Sequence, residues 1–141
     1  RTGCPIITDT NMARAGIRQR DLARFDGTVN CYMTDERVAE AAARKGSTRA
    51  KAAVDVAAPA LSGGSYVVGN APTALLRLIE LMEQDTMRPD LVVGLPVGFV
   101  HAAESKALLQ KCDVPYITNE GRKGGSNVAA AVVTALIIKA G

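Results

Sequence analysis

Between Asp90 and Gly125 the chain passes twice from an apolar run through glycines into a helix start, and this repetition narrows the folds open to it. The first unit runs Asp90-Leu91-Val92-Val93-Gly94-Leu95-Pro96-Val97-Gly98-Phe99-Val100 and enters His101-Ala102-Ala103-Glu104-Ser105-Lys106. The second follows a helix and a short apolar stretch and reads Asn119-Glu120-Gly121-Arg122-Lys123-Gly124-Gly125. Strands that end in glycines and feed helices are how an open α/β sheet lines a binding crevice along one edge. Cations and helix starts at that edge suit a ligand with several negative charges.

The rest of the chain repeats the theme. Apolar runs at Cys4–Thr8, Val29–Met33, Ser65–Gly69, Asp90–Leu95 and Pro115–Thr118 read as five strands, with Asp90–Leu95 the most apolar and therefore central. Between them lie helical patterns. One starts near Met12 after the polar turn Asp9-Thr10-Asn11 and ends at Gly16. Another opens at Thr34-Asp35-Glu36, with Thr34 as cap, and closes at Gly46. Ser47 or Thr48 caps an alanine-rich helix to about Leu61. Ala71–Gln84 carries leucines at helical spacing behind Pro72, and Ala102–Cys112 and Ser126–Lys139 complete the set. Alternating strands and helices predict one α/β domain over residues 1–141, with a mainly parallel five-stranded sheet covered on both faces.

Composition removes several function classes. Aromatics are 4% of the chain and Trp is absent, which argues against base-stacking nucleic-acid binding. A net charge of +3 is too mild for a DNA-binding face but compatible with an anionic small molecule. No apolar run reaches the ~18 residues of a membrane span. Cys4, Cys31 and Cys112 lack zinc spacing and His101 is the only histidine, so neither a metal nor a metal cofactor is expected. Isolated cysteines of this kind read as buried reduced thiols and point to the cytoplasm. The entry from Arg1-Thr2-Gly3 straight into a strand points to an N-terminal portion of the domain preceding this sequence.

Three motifs carry chemistry. Gly69-Asn70-Ala71-Pro72-Thr73-Ala74 is either a ligand-binding turn, using Asn70 and Thr73, or a helix cap built on Asn70. In the Gly94–Lys106 segment the glycines let a ligand approach the backbone, and Glu104, Ser105 and Lys106 fill the first helical turn, unless Lys106 is only a solvated charge. Gly121-Arg122-Lys123-Gly124-Gly125-Ser126-Asn127 sets two cations beside glycines and a helix start, where arginine can pair bidentately with a carboxylate or phosphate, unless it is only an exposed basic turn. It lacks the Gly-Lys-Ser/Thr order of a nucleotide loop, and no Gly-x-Gly-x-x-Gly occurs. His101 has no nucleophile or base nearby in sequence and reads as structural.

Four blocks together resemble the precorrin-8X methylmutase (precorrin isomerase) family. They are Pro5-Ile6-Ile7-Thr8-Asp9 through Met12–Ile17, Gly69–Ala74, Gly94–Val100 with Glu104-Ser105-Lys106, and Gly121–Ser126, in that family's order and spanning nearly the whole chain. The resemblance implies a flavodoxin-like three-layer α/β/α domain, a homodimer and a place in corrin (vitamin B12) biosynthesis. The implied reaction moves a methyl group between adjacent ring C carbons of precorrin-8X or its cobalt form, giving hydrogenobyrinate or cobyrinate, without an external cofactor. The implied substrate-binding set is Thr8, Asn11, Arg49, Asn70, Thr73, Gly98, Ser105, Lys106, Arg122, Gly124 and Ser126. The family's catalytic histidine has no counterpart in this chain and is expected in the preceding segment. A domain without it would be a non-catalytic corrinoid-binding module.

Overall fold

Two-residue alternation divides the strand side chains between two apolar cores. Tyr66, Val68 and Val92 face one way and pack with Leu75, Leu78 and Leu109. Val67 and Val93 face the other way and pack with Ile17, Ala129, Val133 and Ile137. A strand buried on both faces belongs inside a parallel sheet. The structure, a computed structural model, describes residues 5–17, 19–23, 27–32, 35–46, 48–60, 64–84, 88–98 and 101–140.

The strands are β1 (Pro5–Thr8), β2 (Thr28–Cys31), β3 (Ser65–Val68), β4 (Leu91–Gly94) and β5 (Tyr116–Thr118). The helices are α1 (Asn11–Gly16), α2 (Gln19–Ala23), α3 (Glu36–Lys45), α4 (Arg49–Ala57), α5 (Pro72–Glu83), α6 (Ala102–Leu109) and α7 (Ser126–Ala140). The sheet is parallel throughout, in the order β2-β1-β3-β4-β5, which is the flavodoxin-like arrangement. α1 and α7 pack together on one face, while α4, α5 and α6 pack in sequence on the other. The result is the three-layer α/β/α fold that the pattern implied.

Some details differ from the sequence reading. β3 occupies the centre, and the more apolar β4 is one place off it, because β5 adds outside β4. The α3 cap is Asp35, whose carboxylate accepts from the Arg37 amide at 2.8 Å and from the Arg37 guanidinium at 3.1 and 2.9 Å. Thr34, the expected cap, lies outside the described residues, as do Cys4, Met33, Ser47 and Leu61. α4 stops at Ala57 and tightens into a 3₁₀ turn over Ala58–Ala60. Pro59 has no N–H to continue the helix ladder. The short α2 is too brief for a periodic signal. Cys31 and Cys112 are free and half-buried rather than buried, since each lies at the margin of an element.

Register aligns the carboxyl ends of the strands. Thr8 stands opposite Cys31 and Val67, Val68 opposite Gly94, and Gly94 opposite Thr118. The loops after β1, β3, β4 and β5 therefore leave from one edge. The order reverses between β1 and β3, where an open α/β sheet places its crevice.

Candidate functional site

Asp9 and Thr10 follow β1 at the carboxyl edge of the sheet and tie its loops together. Asp9 is 1% exposed. Its Oδ1 accepts from the Gly69 amide at 2.8 Å, and its Oδ2 from the Asn70 and Ala71 amides, each at 2.9 Å. Burial pushes the carboxyl above its ordinary value, and the three amide donors pull the other way. The amides leading into α5 are thus engaged by an internal carboxylate. Asn70 is exposed and does not cap this helix; Ala71 occupies the cap position without a side-chain bond. Thr10 caps α1 by accepting from the Ala13 amide at 3.0 Å. Its hydroxyl also meets that of Ser126 at 2.7 Å, joining the start of α1 to the start of α7. Thr8, at the end of β1, is buried and donates to the Thr10 carbonyl at 2.9 Å.

The turn after β5 is held from beneath. Ser105 and Lys106 are both 0% exposed. Ser105 Oγ donates to the Ala102 carbonyl at 2.9 Å. Lys106 Nζ donates to the carbonyls of Gly121 at 3.0 Å and Lys123 at 2.5 Å. Burial lowers the ammonium's pKa. Both side chains turn their polar atoms toward protein carbonyls. Between them in the turn, Arg122 accepts from the Gly98 amide at 3.1 Å through its carbonyl, while the Arg122 and Lys123 side chains are exposed. Asn119 Nδ2 donates to the Lys123 carbonyl at 3.1 Å, and the Gly125 amide to the Leu95 carbonyl at 2.9 Å. Gly124 lies so close to the backbone of Leu95 and Pro96 that a Cβ would sit 2.7 Å from the Pro96 carbonyl oxygen. Gly98, at φ +134°, has open space where a side chain would stand.

The remaining candidates divide by position. Thr73, half-buried in the first turn of α5, is 3.4 Å from the Thr48 hydroxyl that caps α4. That contact brings the α4 start, and exposed Arg49 with it, beside the α5 start. Asn11 is exposed at the start of α1. His101 is exposed just before α6 in a left-handed conformation, φ +66°, that a non-glycine residue adopts at some cost. The sequence reading assigned Asp9 only to a polar turn, since its partners lie 60 residues away. The local signal was a carboxylate in the turn directly after an apolar strand.

The edge thus combines loops with carbonyl-pinned backbones, exposed cations and a glycine that leaves space open. This arrangement can orient an anionic ligand. Among the described residues no three His, Cys, Asp or Glu side chains are placed to hold a metal, and no helix is long and apolar enough to cross a membrane.

Comparison with known proteins agrees with this geometry. The profile of CbiC, precorrin-8X methylmutase, matches residues 1–139. The cobalt-precorrin-8 methylmutase of Salmonella typhimurium LT2 is 51% identical over 138 residues, covering 97% of this chain and 64% of that protein. That of Priestia megaterium is 44% identical over 140 residues, covering 99% of this chain and 62% of its own length. The chain therefore spans a little under two thirds of these relatives. The solved precorrin-8X methylmutase of Thermus thermophilus superposes with a TM-score of 0.87 at 41% identity, over 98% of this chain and 67% of that one. With a family profile matched over residues 1–139, the chain belongs to the precorrin-8X methylmutase family.

Proposed function

We propose that this chain holds the macrocycle in an isomerase of corrin biosynthesis. The enzyme moves a methyl group between adjacent ring C carbons of precorrin-8X, or of its cobalt form, giving hydrogenobyrinate or cobyrinate. The observation that carries this reading is the whole-chain relationship to methylmutases. A rearrangement within one molecule gains most from being held in a single reactive geometry, and it needs an acid to protonate the ring. The loops after β1, β3, β4 and β5 supply the holding part. Arg122 and Lys123 offer charge to the substrate's carboxylates, and Gly98 leaves room for the ring to lie close to the backbone. The acid is the family histidine, which matches no residue of this chain, and His101 does not take its place. The full enzyme works in the cytoplasm as a homodimer, with neither nucleic acid nor membrane as partner. Val128, Leu136 and Ile138, exposed on α7, support the homodimer.

The test is an absorbance titration of the protein with hydrogenobyrinate, with a dinucleotide as control. Saturable spectral change with the corrinoid alone is expected. Tight binding of the dinucleotide with none of the corrinoid would sink the reading.

A further inference from the structure

Lys106 is a buried cation whose two hydrogen bonds go to main-chain carbonyls rather than to a carboxylate. Removing an ammonium from water on such terms is costly, so a fold that retains one uses it for something local. The carbonyls belong to Gly121 and Lys123, the two residues that flank Arg122. The Arg122 carbonyl is itself held, by the Gly98 amide from the loop after β4. Three successive carbonyls of the turn are therefore fixed from the protein side, while the Arg122 and Lys123 side chains are exposed.

We propose that Lys106 is a positioning residue: by gripping the carbonyls on either side of Arg122, it sets where that guanidinium meets a carboxylate of the ligand. It acts through the turn and does not touch the ligand. The role rests on the corrinoid-binding reading above, although its structural half can be measured without ligand. The strut also explains why an unbranched cation stands in the first turns of α6. A shorter side chain from this backbone would not reach both carbonyls, and an apolar one would leave the Gly121 carbonyl without its Lys106 donor and the Lys123 carbonyl with Asn119 Nδ2 alone.

The experiment compares the wild type, Lys106→Met, Arg122→Ala and the double variant. In ligand-free Lys106→Met the Gly98 and Gly125 amides should lose hydrogen-exchange protection ~10-fold or more, with the β3 and β4 amides unchanged. Hydrogenobyrinate affinity should fall ~10-fold, the scale of one lost charge-assisted contact. In the Arg122→Ala background the same substitution should change affinity less than ~2-fold, since both lie on one route to the ligand. Unchanged protection, or losses that add in full, would overturn the proposal. Lys106→Gln serves if the methionine variant does not fold. If neither folds, NMR of the wild type decides, through couplings across the hydrogen bonds from Lys106 Nζ to the Gly121 and Lys123 carbonyls. Those couplings should persist when hydrogenobyrinate saturates the site; their loss on binding would mean that Lys106 leaves the turn for the ligand. Should the wild type bind no corrinoid, that reading falls, while the exchange measurement still decides whether Lys106 holds the turn.

Discussion

Asp9 engages three main-chain amides with two oxygens, and this makes the turn before α5 rigid without any capping side chain of its own. It also means that the start of α5 already carries a negative partner. In the proposed function the anionic ligand meets instead the Arg122–Lys123 turn, where the buried neighbour is the cation Lys106. Burial raises the Asp9 pKa from 3.8 in the folded state, so between the two values the folded protein binds more protons than the unfolded chain. Stability then has a negative slope with pH: the contribution is complete below 3.8 and is lost as pH rises through the raised value. Urea unfolding of the wild type and Asp9→Asn across acidic pH should show the wild type losing ground to the variant as pH increases through that window. A difference between them that is flat, or that grows in the wild type's favour, would contradict the burial argument. The carboxylate was visible in the sequence as a turn residue. Its partners were not, because nothing local distinguishes an aspartate that caps its own helix from one that reaches another.

At the scale of elements, the starts of α1, α5 and α7 meet where Gly69, Thr10 and Ser126 come together. A Cβ on Gly69 would stand 2.7 Å from the Ser126 Cα and 3.1 Å from its amide nitrogen, so the β3–α5 turn and the α7 start are in backbone contact. Gly69→Ala should therefore cost ~1–3 kcal/mol, because the atoms it meets are main chain and cannot swing aside. Thermal unfolding measures this, and a melting temperature equal to the wild type's would show that the two loops separate easily. Most elements could be read from their own residues. α5 follows from Pro72 and the spacing of Leu75, Leu78 and Ile79, and α3 ends at Gly46, which adopts φ +64°. Thr34 and Asp35 are both good caps in sequence, and Asp35 takes the position, its carboxylate also accepting from the Arg37 guanidinium. α2, at 5 residues, contains too few positions to reveal a face, yet it buries Leu22.

For the molecule as a whole, the exposed apolar residues of α7 bear on assembly. Sedimentation velocity should give twice the mass of one chain, and a monomer at all concentrations would remove the homodimer from the proposed function. The alternation of five apolar runs with helical patterns was enough to determine a parallel α/β sheet, since buried parallel strands and amphipathic helices each leave a periodic trace in their own residues. The glycine-bearing ends of the strands likewise marked loops that leave from one edge of the sheet. Strand order was not readable this way: β4 has the most apolar sequence, yet the centre went to β3, because order depends on crossovers between distant segments. The placement of the candidate side chains divided on the same ground. Arg122 and Gly98 stand at the edge as their loops suggested, whereas Ser105 and Lys106 turned inward. A charged residue in a helix's first turn looks the same in sequence whether it faces solvent, a ligand or a neighbouring carbonyl. Only the packing of α6 against the turn after β5 decided that Lys106 would be a strut.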